Sequence, residues 1–314
     1  MNLRRLKYFV RIVDAGSLGQ ASQLLHIAQP ALSQQLFILE REFGLPLLIR
    51  NKRGVTPTEA GRTLYTHAQV ILRQFEQAQS DVKCSGKLLS GKVSIGLPPG
   101  IATTLLPLPL LKKAREEHTL ITLHLNENLG TTLLDLVLTG RMDMAVLYGA
   151  PPVYGIRSKH LLDEALFVVI PASEPLTNHA TGGAMPLAKL RDVNLILPRP
   201  YNCLRRYLDE AFANSGVTPR IVAEMESAVT LTAAIQAGLG ATILPYSAAQ
   251  AVSASSHGKL FRLTNPSVDV PLALCESDHL RTSEPSAAIR DLLLELTMNI
   301  ATSAASTSSL SEMA

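Results

Sequence analysis

The chain has 314 residues, 46% of them hydrophobic and 18% charged, with a formal net charge of +3. That length suits two or three folding units. No apolar run reaches the ~18 residues a membrane span needs, and charges interrupt MNLRRLKYFVRIVDAG every few positions, against a signal-peptide core, so a cytoplasmic protein is expected. Cys84, Cys203 and Cys275 are widely spaced and odd in number, which fits reduced thiols rather than a disulfide frame or a zinc site.

A first helix is predicted near Leu3–Ala15, with Leu6, Phe9, Val10 and Val13 on one face and Gly16 ending it. Ser17 opens a second helix in a capping-box pattern with Gln20, each side chain satisfying the other's backbone N–H. Leu18, Ala21, Leu24 and Leu25 make its buried stripe, and His26-Ile27-Ala28 breaks the pattern. Pro30 suits the first turn of a third helix, where its missing N–H is no loss. On that helix Leu32, Leu36, Leu39 and Phe43 face inward, and Pro30, Ser33, Gln34, Phe37 and Arg41 face outward. A basic hairpin follows through Leu47–Val55, carrying Arg50-Asn51-Lys52-Arg53-Gly54. Two angled helices with a cationic wing form the geometry that sets one helix in a DNA major groove. Charge agrees, because residues 1–87 carry twelve Lys/Arg against six Asp/Glu while the remaining residues carry −3.

Thr56-Pro57-Thr58-Glu59 predicts the next helix start, with Thr56 as N-cap, Pro57 at the first helical position and Glu59 completing a capping box. The helix runs to about Lys83. Ala60, Leu64, Ala68, Ile71, Phe75, Ala78 and Val82 alternate at spacings of four and three, a coiled-coil seam. A dimerisation helix is therefore expected, with Leu64, Ala68, Ile71, Phe75 and Ala78 at the interface. Ser85–Gly91 reads as a hinge.

Beyond the hinge, strands alternate with helices. Strands are predicted over Val93–Leu97, Ile121–Leu125, Met144–Tyr148, Leu166–Ile170, Leu195–Leu197, Ile221–Ala223, Ala241–Leu244, Leu260–Leu263 and Leu272–Cys275. Helices are predicted over Leu105–Glu117, Thr131–Leu138, Leu204–Asn214, Ala228–Ala237 and Ala287–Met298. This alternation implies a mostly parallel sheet in each of two halves, with a ligand cleft outside the carboxyl ends of the strands. The small, polar tail reads as disordered.

The pattern Phe9, Ala15-Gly16-Ser17, Ala21, Leu24-Leu25, Gln29-Pro30-Ala31-Leu32-Ser33, Leu39-Glu40, Gly44, Leu47, Arg50, Gly54-Val55-Thr56, Thr58-Glu59-Ala60-Gly61 is long and ordered. The body adds Gly96, Pro107, Gly140-Arg141-Met142-Asp143, Ala237-Gly238-Leu239-Gly240-Ala241 and Pro245. Together these resemble the LysR-type transcriptional regulators over about residues 1–298. The segments LRRLKYFVRIVDAGSL, LHIAQPALSQQ, KRGVTPTEAG, MDMAVLYG and ESAVTLTAAIQAGLGATILP are most similar to family members that control nitrogen assimilation.

The resemblance implies an N-terminal all-α winged helix-turn-helix with a long linker helix, and a C-terminal α/β two-lobed periplasmic-binding-protein-like domain. The expected divisions are 1–59 for the DNA-binding domain, 60–90 for the linker helix and hinge, 91–300 for the regulatory domain and 301–314 for the tail. Within the regulatory domain, lobe I takes about 91–162 and 266–300, and lobe II about 163–265. The implied partners are double-stranded promoter DNA, further copies of the chain as a homodimer or dimer of dimers, RNA polymerase and a small-molecule effector, with no membrane and no cofactor. The implied role is activator or repressor of nitrogen-assimilation genes, the alternative being a regulator of another pathway that answers to a small anion.

In such a head, Gln29, Pro30, Ser33 and Gln34 face base edges, where Gln pairs bidentately with adenine and Ser suits either base pair. Arg4, Arg50, Lys52 and Arg53 meet phosphate or enter the minor groove. The chain departs from the family in three ways. Positions 34, 37 and 38, often basic, are Gln34, Phe37 and Ile38. Ala28 stands where a Ser or Thr usually caps the third helix, a loss of roughly 1 kcal/mol. The two hydroxyl positions that commonly hold an effector are Gly100 and Gly130. Either the backbone N–H groups of Gly100 and Ile101, after Pro99, hold an anion together with Asn128, Gly130, Thr131 and Asn202, or the cleft has no effector.

Other chemistry finds little support. No nucleophile–base–orienter set or useful carboxylate pair marks an enzyme, so no catalytic residue is expected. The eight histidines lack metal spacing. Gly182-Gly183 follows no strand and makes no nucleotide fingerprint. Cys203 at a helix start would be a redox switch only with a lowered pKa. A solute-binding protein shares the body but not the basic head.

Overall fold

The computed structural model describes residues 2–51, 54–84, 89–98, 106–150, 152–174 and 183–311. The chain divides into two compact units, residues 1–86 with 139–141, and residues 87–138 with 142–314.

The first unit opens with α1 (Leu3–Ala15), α2 (Leu18–Leu25) and α3 (Gln29–Phe43). Asn2 caps α1 by accepting the Arg4 N–H at 2.8 Å, and Gly16 ends it in the left-handed region. Ser17 accepts the Gln20 N–H to start α2. Ala28 precedes α3 with no side-chain cap, as its lack of an acceptor requires. The hairpin of β1 (Leu48–Asn51) and β2 (Gly54–Pro57) leads into α4 (Glu59–Cys84). Leu6, Phe9, Ile12, Ala21, Leu32, Leu36, Leu39 and Leu47 bury together with Leu64 and Ala68 of α4 in one core.

Three expectations shift here. Leu24 and Phe43, assigned inward, are 67% and 42% exposed, and Ile12 fills the core instead. The α4 cap is Thr58 rather than Thr56, because Thr56 and Pro57 stay in the hairpin opposite Ile49 and Leu48. Thr58 Oγ1 accepts the Gly61 N–H at 3.0 Å and donates to the Pro46 carbonyl at 2.8 Å. Gly61 is required by proximity, since a Cβ there would lie 2.0 Å from the Leu47 carbonyl oxygen.

In the second unit, β3 (Ser90–Leu97) pairs in parallel with β4 (Leu120–Glu127) and β5 (Met144–Tyr148). The helices α5 (Pro107–Glu117) and α6 (Gly130–Leu138) connect them. β6 (Ile156–Ile170) is 15 residues long, far beyond the five apolar residues legible in the sequence. Beyond it lie β7 (Ala184–Pro186), β8 (Asn194–Leu197), α7 (Cys203–Asn214), β9 (Arg220–Glu224), α8 (Ala228–Gln236), β10 (Thr242–Pro245), α9 (Tyr246–Ser256), β11 (Lys259–Thr264), β12 (Asp269–Ser277) and α10 (Glu284–Ser311).

The sheets are mixed rather than mostly parallel. β12 runs antiparallel to β5 and β6, and β10 and β11 run antiparallel to β6, whereas β8–β9 and β7–β11 are parallel. Two large cores result. One gathers Val93, Ile95, Leu110, Val146, Leu162, Leu272 and Leu293, and the other Leu166, Val168, Leu195, Leu208, Phe212, Ile243 and Val270. β6 and β12 each serve both cores, as the paired strands where the chain passes between them. Tyr148 packs against both cores. The helical backbone of α10 continues to Ser311, into residues expected to be disordered, where no Gly or Pro interrupts it.

Candidate nucleic-acid interface and body cavity

The outer face of α3 is open. Gln29, Pro30, Gln34, Phe37 and Arg41 are exposed and Ser33 is half-buried. Their spacing of three and four residues sets them in one stripe, opposite Leu32, Leu36 and Leu39 in the core. The wing is fixed beside this stripe by two attachments. Glu40 on α3 accepts the Leu47 and Leu48 N–H groups at 2.9 and 3.2 Å. The Gly16 carbonyl accepts the Val55 N–H at 2.8 Å, and Gly54, at φ +131, leaves room for it, since a Cβ there would lie 2.5 Å from that oxygen.

The wing residue Arg50 is exposed and donates from Nη1 to Ser33 Oγ at 3.2 Å. Two of the expected DNA-facing residues are thus brought into contact. Arg4 is exposed at the start of α1, with Lys7 and Arg11 exposed further along it. Arg5 instead donates from Nε to Gln35 Oε1 at 3.1 Å and pairs with Glu42, bracing α1 on α3. Lys52 and Arg53 lie outside the described residues. Periodicity identifies the open face of α3 but cannot show the Arg50–Ser33 bond, whose partners are 17 residues apart.

The expected dimerisation seam divides in two. Leu64 and Ala68 are 9% and 0% exposed within the head core, so they are not open to a partner, because the first turns of α4 form one wall of the head. Ile71, Phe75 and Ala78 are exposed, as is Val82. At the start of α4 the Tyr65 hydroxyl donates to Asp14, and burial, then Asp14, pushes this phenol up to about 12.

The second unit holds a cavity of about 320 Å³. Its walls are mainly apolar, with Pro98, Leu129, Leu134, Leu147 and Tyr148 on one side and Pro200 and Tyr201 on the other. Of the residues named from the sequence as effector contacts, Gly130, Thr131 and Asn202 line it and Asn128 does not. The Asn128 side chain turns back to accept the Leu129 N–H at 2.9 Å. Pro99, Gly100 and Ile101 lie outside the described residues. Asn202 caps α7 by accepting the Leu204 N–H at 3.0 Å, which occupies its carbonyl oxygen.

Tyr148, Cys203 and Arg206 are among the lining residues not expected from the sequence. Arg206 Nη2 donates to the Gly149 carbonyl at 3.3 Å. Its neighbour Arg205 turns inward, bonded to the Pro198 carbonyl, Asp209 and Glu224. The helical register of α7 separates the two, a distinction that two adjacent arginines do not reveal in sequence. Burial, then the Glu164 carboxylate, holds the Tyr148 phenol well above its ordinary value, so it meets the cavity as a neutral donor or acceptor. Ser247 joins this group, donating to Glu164 at 2.9 Å.

Cys203 and Cys275 lack the lowered pKa that a redox switch would need. Burial raises the Cys203 thiol, outweighing the nearby Arg206 charge, and raises Cys275 to about 11. A helix start alone therefore fails to lower Cys203. Among the described residues, no helix is long and apolar enough to cross a membrane, and no group of three or more His, Cys, Asp or Glu side chains is placed to hold a metal.

The family model "Bacterial regulatory helix-turn-helix protein, lysR family" matches residues 3–62, and "LysR substrate binding domain" matches residues 86–297. The nitrogen assimilation regulatory protein nac of Klebsiella aerogenes is 49% identical over 296 residues, covering 94% of this chain and 95% of that one. The protein of the same name from Escherichia coli K12 is 46% identical over 296 residues, with the same coverage of 94% and 95%. Among solved structures, a full-length OxyR variant from Pseudomonas aeruginosa aligns with a TM-score of 0.72 at 24% identity, covering 95% of this chain and 97% of that one. Full-length CbnR complexed with its target DNA aligns with a TM-score of 0.69 at 24% identity, covering 95% and 99%. At that identity the two structures establish the fold alone.

Proposed function

The chain belongs to the LysR-type transcriptional regulators, and from that membership we propose that it binds promoter DNA through α3 and its wing, as a homo-oligomer, to control genes of nitrogen assimilation. The open stripe of Gln29, Pro30, Ser33 and Gln34, with Arg50 bonded beside it, carries the DNA-reading part. It offers hydrogen-bonding groups at helical spacing to base edges, flanked by cations for phosphate. Near-half identity along almost the whole chain to two regulators named for nitrogen assimilation supports the physiological part. With Gln34, Phe37 and Ile38 all uncharged, α3 carries one Arg against two Glu, and the wing and α1 supply most of the salt-dependent affinity.

The head comprises residues 1–59, closed by Leu64 and Ala68 from the first turns of the 60–90 linker, and the regulatory domain 91–300, with exposed Ile71, Phe75 and Ala78 forming the dimer seam. Capture of genomic fragments by purified full-length protein, without added metabolite, tests the reading. Dyad sites upstream of nitrogen-use genes are expected. Specific enrichment elsewhere would retain the regulator and overturn its nitrogen role.

The cavity favours a ligand-responsive form of this reading, because Arg206 brings a cation to its lining. A small carboxylate is the matching ligand class. Calorimetric titration with short dicarboxylates is expected to show binding that Arg206→Ala abolishes. Absence of heat with such acids would favour an effector-free cleft.

A further inference from the structure

We propose that Phe37 determines sequence choice by packing its ring against the C5-methyl of a thymine in the major groove. This inference rests on the DNA-binding reading above. Phe37 lies on the same outer stripe as Pro30, Ser33 and Gln34 and is 57% exposed. Its neighbours Leu36 and Leu39 are 2% and 0% exposed, so the core of the head is filled without it. Arg41, one turn further on, is also exposed and ends the stripe in a cation suited to phosphate.

The chemistry of the groove selects the partner. Base edges there present hydrogen-bond donors, acceptors and one apolar group, the thymine methyl. A phenyl ring offers no hydrogen bond, so set against adenine, guanine or the cytosine amino group it desolvates polar atoms without replacing their water. Against a thymine methyl it removes apolar surface from water on both sides. At about 1.5 Å of rise per residue, Phe37 stands about 6 Å along α3 from Ser33. The two side chains therefore reach different base pairs along the groove.

The test uses full-length protein and a duplex recovered from genomic capture. Each thymine is replaced singly by deoxyuridine, which removes only the methyl, and binding is measured for the wild type and Phe37→Ala. The wild type is expected to weaken about fourfold at one thymine in each half-site, the weight of roughly one buried methylene-sized group. Phe37→Ala is expected to bind the unmodified duplex more weakly and to ignore uracil at that position. Phe37→Leu, which keeps an apolar contact, retains part of the response. Equal uracil responses in wild type and Phe37→Ala at every thymine would overturn the proposal, as would a wild type indifferent to uracil throughout. Failure to recover any specific duplex would instead contradict the DNA-binding reading itself.

Discussion

Arg50 on the wing donates to Ser33 on the outer face of α3 at 3.2 Å, so the wing and the proposed reading helix are joined by a side-chain bond in addition to the backbone bonds to Glu40. The guanidinium has five donors and uses one on Ser33, leaving others for phosphate.

Two substitutions at this position separate its roles. Arg50→Ala is expected to weaken binding to every sequence and to reduce the slope of log affinity against log salt by about 0.9. Arg50→Lys keeps the charge but loses the planar fork that holds Ser33. Its salt slope should stay unchanged while discrimination at the Ser33 base falls. Titrations at several salt concentrations, on specific and random duplexes, check both outcomes.

Ala28 leaves α3 uncapped. Ala28→Ser is expected to stabilise α3 by about 1 kcal/mol, by supplying an acceptor for an N–H of the first turn. Amide hydrogen exchange of α3 in the full-length protein reports this directly. Exchange in α3 should slow about fivefold, and an unchanged rate would show that the exposed start of α3 does not limit its opening.

The division of the α4 seam gives opposite expectations for its two ends. Phe75→Glu changes a residue that is 44% exposed and should shift the protein toward monomer with the head still folded. Leu64→Ala, inside the head core, should cost about 2–5 kcal/mol of head stability. Sedimentation together with circular dichroism distinguishes them. A Phe75→Glu protein that keeps its oligomeric mass would remove the exposed half of α4 from the interface.

Most elements of both units were legible because their periodicity is strong. α1 and α3 show helical stripes, and β3 and β5 are short apolar runs. The failures have specific causes. The stripe of α2 counted Leu24 inward, yet a helix of eight residues has few buried positions and Leu18, Ala21 and Ser22 occupy them. The cap of α4 moved from Thr56 to Thr58 because hairpin pairing, a contact between chain segments, took the residues that a local capping rule had claimed. α9 was missed since YSAAQAVSASS is made largely of small residues that buried and exposed faces accept alike. The first ten residues of β6 are mostly polar and become a strand only through β12, more than a hundred residues away. The cavity shows the same limit. Gly130, Thr131 and Asn202, named from the sequence, lie in its lining, whereas Arg206 became visible only when α7 turned it toward Gly149.

The proposed function requires α3 to read bases rather than merely stand exposed. The most direct measurement is the ratio of affinities for a captured site and a random duplex of equal length, compared between the wild type and Gln29→Ala at one salt concentration. Loss of a bidentate adenine contact should remove about 1–3 kcal/mol of discrimination, lowering affinity for the captured site while leaving that for random DNA unchanged. Equal losses on both duplexes would contradict the account, placing Gln29 outside the reading surface.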